Sequence, residues 1–177
     1  MTRTRTGSDP SRCARLRWLL IPGSAVLLAL LLNTFVMVFA HVPSGSMEST
    51  IPAGSLVIGS RLSYRDAPPQ RGDIIFFRHE ETGNTLLIKR VVAVAGDTFQ
   101  IKSGTVYING APEQASYATG AAGKDTDAVT VPEGKLLVLG DNREASRDSR
   151  YWEDPFVDQQ DVVGQAAYLL LPALKKL

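Results

Sequence analysis

The sequence predicts a mostly β protein: a single N-terminal transmembrane helix followed by a compact, β-sheet-rich domain. Three observations carry this. Trp18 to Ala40 is a run of 23 residues without a charge. After it come short apolar segments rich in Val, Ile and Phe, separated by Gly, Pro, Asn and Asp. No long segment beyond residue 41 repeats its apolar residues at a helical period.

As a helix rising ~1.5 Å per residue, 18–40 reaches about 34 Å, enough for a hydrocarbon core of roughly 30 Å. Pro22 and Gly23 fall in its first turns, where proline costs a helix least. A cleaved secretory signal is the competing reading, but its apolar region runs only ~7–15 residues. Residues 1–17 carry five arginines (Arg3, Arg5, Arg12, Arg15, Arg17) against Asp9, a net of +4. The whole chain is +1, which leaves −3 for the remainder. Such a basic tail stays in the cytoplasm, so that 41–177 lies on the outer side of the cytoplasmic membrane. The lipid bilayer is therefore an expected partner. The near balance of charge gives no sign of a nucleic-acid partner. The one cysteine, Cys13, cannot form an internal disulfide, and two histidines without metal-ligand spacing give no zinc site and no cofactor.

Within 41–177, strands are expected at 55–59, 74–78, 85–95 and 135–139, with a last core strand inside Val162–Leu174. Segment 98–134 reads as a compact insertion. It opens with a hairpin, 98–102 and 105–108 around Ser103-Gly104, followed by a turn at Asn109-Gly110. Residues 118–127, small, polar and glycine-containing, are expected to be mobile.

Three stretches bear chemistry. Pro43-Ser44-Gly45-Ser46-Met47 presents two hydroxyls where the chain leaves the membrane run. A hydrolytic serine needs a base, and neither His41 nor His79 is well placed. Lys89 lies within Thr85-Leu86-Leu87-Ile88-Lys89-Arg90-Val91-Val92-Ala93-Val94-Ala95. Apolar surroundings lower a lysine's pKa, and only the neutral amine accepts a serine proton. A lysine snorkelling from a strand edge or paired with a carboxylate fits the same pattern. Gly140 to Arg150, dense in Asp, Asn, Ser and Arg, suits either a charged surface loop or a network fixing two strands.

Taken together, the stretches resemble bacterial type I signal peptidases, membrane-anchored serine proteases with a Ser/Lys dyad. The resemblance lies in Pro43–Met47, in Arg71-Gly72-Asp73-Ile74-Ile75-Phe76, in Ile88–Val91 with Ala95-Gly96-Asp97, and in Gly140–Arg143 with Ser146, Asp148, Ser149 and Arg150. It implies Ser46 as nucleophile and Lys89 as general base. Ser44 and the Ser46 amide would form the oxyanion hole, and Ser146 would orient the lysine. Val42, Pro43, Met47 and Ile88 would wall pockets for small side chains, with Gly45 leaving room for substrate backbone. Arg90–Asp141 and Asp148–Arg150 would be structural ion pairs. The implied activity is cleavage of signal peptides from exported preproteins after an Ala-x-Ala-like sequence, through an acyl-enzyme and without metal. A peptidase dedicated to pilus or conjugation proteins, or an inactive membrane-tethered binding domain, are the alternatives. One departure stands out: Ser49 replaces the proline usual in the family, which is expected to loosen the segment after Ser46.

Overall fold

The computed structural model describes the backbone of residues 10–177 and the side chains of 18, 20–32 and 34–177. The first nine residues, and the side chains of the rest of the basic tail including Cys13, lie outside the described residues. The chain forms two units, Met1–Val36 and Met37–Leu177.

The first unit is helix α1, Pro10–Phe35. Its described apolar side chains, among them Leu20, Ile21, Val26, Leu27, Leu28, Leu30 and Phe35, are exposed. Among the described residues no helix is long and apolar enough to cross a membrane. The uncharged run is also divided, contrary to the single span expected over 18–40. Trp18–Phe35 is helical, and strand β1 takes Met37–Val42. The physical reason is a partner: β1 pairs antiparallel with β2, Ser55–Ser60, over six residues from Met37↔Ser60 to Val42↔Ser55. Val38 and Val42 point into the core from that strand.

The remaining strands are β3 (Ile74–Arg78), β4 (Leu86–Val94), β5 (Thr98–Lys102), β6 (Thr105–Ile108), β7 (Ala111–Pro112), β8 (Val129–Thr130), β9 (Lys135–Leu139), β10 (Val157–Asp158), β11 (Val162–Leu171) and β12 (Lys175–Lys176). The larger sheet runs β1-β2-β11-β3-β4-β9-β10, with β12 on β11, and the smaller runs β7-β6-β5-β8. All neighbours named here are antiparallel. The hairpin and turn signals hold. Ser103 and Gly104 both take positive φ (49° and 72°), as do Asn109 and Gly110 (54° and 77°), the geometry of tight hairpin turns.

Strand β3 explains why Ile74–Phe77 is apolar without alternation. Ile74 and Phe76 pack with Val42, Met47, Ile51 and Ile88 on one face. Ile75 and Phe77 pack with Val91, Leu136, Val138 and Trp152 on the other. The hairpin's Phe99, Ile101, Val106 and Ile108 close a third cluster with Ala93, Leu137 and Leu139. Strand β4 lies between β3 and β9, so its charged pair Lys89-Arg90 is carried into the interior.

The segment 118–127 is fastened, contrary to the expected mobility. Thr119 bridges to Asn142, Ala122 is buried, and its carbonyl accepts from Arg150 Nη1 at 2.9 Å. Asp125 and Thr126 side chains accept the Ser103 and Ile101 amides. Small residues here permit close approach to charged partners.

Gly59 on β2 is a close-packing position, because a Cβ there would overlap the Gln165 carbonyl of β11 and the Phe76 ring. Gly59→Ala is expected to lower unfolding free energy by about 1–3 kcal/mol in chemical denaturation, the usual cost of overpacking. An unchanged midpoint would mean that β2 and β11 are not in this contact.

Candidate active site

Residues Gly45–Met47 form one 3₁₀ turn directly after β1. Met47 is fully buried and joins Val42 and Ile88 in one cluster, which pins the turn against β4. Ser46 is thereby buried too, at 5 % exposure. Two bonds fix the turn from the other side: the Asn142 amide donates to the Ser46 carbonyl (3.1 Å) and Asn142 Nδ2 to the Gly45 carbonyl (3.2 Å). A Cβ on Gly140 would overlap the Ser46 carbonyl and Ser146 Oγ, so only glycine permits this approach. At Gly45 the nearest atom to an added Cβ is Glu48 Oε2, at 2.7 Å.

Lys89 Nζ lies 2.5 Å from Ser46 Oγ, with Lys89 only 4 % exposed. As an ammonium the amine donates to the hydroxyl; as a free amine it accepts the hydroxyl proton. Burial lowers the Lys89 pKa from 10.5 to about 8. The Asp148 charge works against this, Arg150 assists it, and Asp141 again opposes it. An amine with that pKa is neutral in about a tenth of molecules at pH 7.

Ser44, extended and exposed, has its Oγ 3.4 Å from Ser46 Oγ. Pro43 is exposed beside the buried Val42, Met47 and Ile88. Ser146 is buried at 4 % exposure next to Gly140, but its Oγ has no hydrogen-bond partner. The bond to the lysine expected of Ser146 is thus not made. The amine's short contact is to Ser46. His79 stacks on Trp152 with ring centroids 4.2 Å apart.

Both expected ion pairs form. Arg90 grips Asp141 through Nε–Oδ1 (2.8 Å) and Nη2–Oδ2 (2.7 Å), and Thr50 Oγ1 donates to the same Oδ2 at 2.6 Å. Burial pulls the Arg90 pKa down, but the bonds and charge of Asp141 outweigh it and the net direction is up. Arg150 binds Asp148 through Nε–Oδ1 (2.7 Å) and Nη2–Oδ2 (2.8 Å), while Asp148 accepts the Gly140 amide (2.9 Å). Ser149 exchanges hydrogen bonds with the Val138 backbone. Asp141, Arg143, Ser146, Asp148 and Ser149 are all buried, so 140–150 is the strand-fixing network and not a solvated loop.

Two partners were not legible in the sequence. Glu113 accepts from Arg143 Nη2 at 2.8 Å, and the Tyr117 ring lies 3.9 Å from the Arg90 guanidinium carbon. Burial and then the Glu113 carboxylate push the Tyr117 phenol up to about 12, which keeps it protonated. Arg143 within Gly140–Arg143 signalled a need for a carboxylate, but nothing in the sequence marks Glu113 as the one.

A buried serine hydroxyl thus lies against a buried lysine amine whose pKa is lowered, an arrangement chemically able to pass the hydroxyl proton to the amine. Residues 15–171 match the family described as signal peptidase, peptidase S26. The chain belongs to this family: it is an enzyme, a peptidase of the signal peptidase I kind, on a mostly β fold of that type. It is 40 % identical over 156 residues to the probable signal peptidase I-1 of Synechocystis, covering 84 % of this chain and 79 % of that one. Signal peptidase I of Leptolyngbya laminosa is 37 % identical over 157 residues, covering 85 % and 76 %. A crystal structure of a signal peptidase I from Enterococcus faecalis is 34 % identical with a TM-score of 0.47, covering 55 % of this chain and 95 % of that one.

The family departure at Ser49 has a structural form. Ser49 takes φ +94°, which proline, fixed near −65°, cannot adopt. Its Oγ donates to the Tyr117 carbonyl at 2.5 Å, so the segment is tied to Tyr117 and not loosened. Ser49→Pro is expected to cost about 2 kcal/mol or more in denaturant unfolding. Ser49→Gly, which relieves φ but loses one hydrogen bond, stays within ~1 kcal/mol of the parent. A neutral Ser49→Pro would show that this backbone geometry is wrong.

Proposed function

We propose that this chain removes N-terminal signal peptides from exported preproteins as a Ser46/Lys89 endopeptidase. The observation that supports it best is the 2.5 Å contact between Lys89 Nζ and Ser46 Oγ inside a buried site. Neutral Lys89 takes the hydroxyl proton as Oγ attacks the scissile carbonyl carbon. The carbonyl oxygen becomes an oxyanion that Ser44 Oγ–H and the Ser46 N–H stabilise, each such donor contributing ~3 kcal/mol at the transition state. The intermediate collapses, the C–N bond breaks, and Lys89 returns its proton to the leaving amine. A water, deprotonated by the same amine, then cleaves the acyl-enzyme and regenerates Ser46. Asp148 and Arg150 hold Gly140, and with it the Ser46 carbonyl, in position.

Substrate choice follows from the walls. Val42, Met47 and Ile88 belong to a packed core cluster, so they yield little to a large side chain, and Pro43 is exposed next to Val42. Small residues of the Ala-x-Ala kind fit best before the bond. The enzyme works on the outer side of the cytoplasmic membrane with the arginine-rich tail inside, a reading supported by the order of basic tail and uncharged run in the sequence.

Purified Ser46→Ala and Lys89→Ala are each expected to lose at least ~10³-fold in processing of a preprotein, while remaining folded. Parental turnover by either variant would refute the dyad. In the parent, kcat/KM is expected to rise about tenfold per pH unit below a midpoint near 8 and level off above it. The sign follows from the base: only unprotonated Lys89 acts, so acid removes activity. A reporter fused to the C-terminus is expected to be extracytoplasmic, and a cytoplasmic signal would refute the topology.

A further inference from the structure

Segment 113–119 leaves strand β7 of the smaller sheet and meets all three parts of the chain that hold the dyad. The first is the stretch just past the nucleophile, where Ser49 Oγ donates to the Tyr117 carbonyl at 2.5 Å. The second is the lysine strand. The Tyr117 ring lies 3.9 Å from the guanidinium carbon of Arg90, the residue after Lys89. The third is the clamp at 140–143. Arg143 Nη2 donates to Glu113 Oε2 at 2.8 Å, and Arg143 Nε to the Gly140 carbonyl at 3.1 Å. The Thr119 amide donates to the Asp141 carbonyl and the Arg143 amide to the Thr119 carbonyl, both at 2.8 Å.

Glu113 and Tyr117 form one unit. The Tyr117 hydroxyl donates to Glu113 Oε1 at 3.0 Å, so a single carboxylate serves the phenol and Arg143. The Arg143 and Glu113 side chains are 4 % and 12 % exposed, a desolvated pair in which each charge needs the other. Arg90 is committed elsewhere as well: Nε and Nη2 to Asp141, and Nη1 to the Gly72 carbonyl at 2.7 Å. The Tyr117 ring adds a cation–π contact that burial strengthens. Among the described residues, neither Glu113 nor Tyr117 hydrogen-bonds to Ser46 or Lys89. Each reaches the dyad through one residue: Tyr117 through Arg90, and Glu113 through Arg143 to Gly140, which packs on the Ser46 carbonyl.

We propose that Glu113 and Tyr117 are positioning residues for the dyad: they fix Arg90 and Gly140, and so keep Lys89 Nζ against Ser46 Oγ. The inference rests on the Ser46/Lys89 reading above and extends its machinery to the segment that returns from the smaller sheet. Loss of either side chain lets the serine turn and the lysine strand shift relative to each other. A misplacement of about 1 Å at a reacting contact can cost ~10²-fold in rate. It also admits water to Lys89, whose ammonium is then penalised less.

The test compares Tyr117→Leu, Tyr117→Phe and Glu113→Gln with the parent, as full chains in detergent that are folded by circular dichroism. Tyr117→Leu removes the ring and no charge, Tyr117→Phe keeps the ring, and Glu113→Gln keeps the shape without the charge. With a preprotein bearing an Ala-x-Ala site, kcat is expected to fall about tenfold in Tyr117→Leu and Glu113→Gln while KM stays within about twofold. Tyr117→Phe is expected to recover most of the loss. The Lys89 ε-carbon midpoint, read by NMR without turnover, is expected to rise from about 8 by about half a pH unit or more in Tyr117→Leu and Glu113→Gln. A side chain that only stabilised the fold would leave that midpoint unmoved. The charges acting on Lys89 are those of Asp148, Arg150 and Asp141, and losing a carboxylate by charge alone would lower the midpoint, not raise it. An unmoved or lowered midpoint, or parental kcat, would overturn the role of the residue replaced. Glu113→Gln decides alone if Tyr117→Leu does not fold. A parent that cleaves nothing would overturn the peptidase reading, and the NMR midpoints would still decide the positioning role.

Discussion

A lysine amine held against a serine hydroxyl, out of water, is the contact on which the rest of the domain depends. Lys89 lies on a strand flanked on both sides, so its ammonium would have to be desolvated. The protein answers by letting the proton go more easily, at about pH 8 where a free lysine holds it to 10.5. The same shift costs stability. The unfolded chain binds that proton more tightly, so the full penalty, ~3 kcal/mol, applies below pH 8 and is relieved as pH rises from 8 to 10.5. The fold must carry that cost to keep the base usable.

Much of the surrounding structure can be understood as holding the two partners at that distance. Met47 anchors the serine turn in the core, and Asn142 binds two of its carbonyls, those of Gly45 and Ser46. Arg90, the residue after the lysine, grips Asp141, the residue before Asn142. One ion pair thus links the lysine strand to the segment that clamps the serine. Thr50 joins it from the chain just beyond the nucleophile. Breaking one partner of such a buried pair leaves the other charge unpaired and costs several kcal/mol, which is why a change at Asp141 would reach a serine it does not touch.

The strands with strong local patterns were legible. Ile74–Phe77, apolar on both faces, could only be central, and Ser103-Gly104 and Asn109-Gly110 marked turns by the positive φ they permit. The serine, the lysine and the two arginine–carboxylate pairs were legible as residue types in order. Long-range choices were not. Met37–Ala40 has the composition of a membrane run, and only its pairing with β2 makes it a strand. Residues 118–127 looked mobile because their partners, Arg150 and the 101–103 backbone, are far away or generic. Ser49 read as a loosened proline site, yet its φ and its bond to Tyr117 tie it down. Such features depend on what the chain meets after folding, and no local pattern records them.

The central claim is that burial has made Lys89 a base near neutrality. Its most direct measurement is an NMR titration of lysine ε-carbons in the full chain, with the Lys89 signal identified by its loss in Lys89→Met. A midpoint near 8 is the result predicted here. A midpoint near 10.5, the value of an unperturbed lysine, would contradict it.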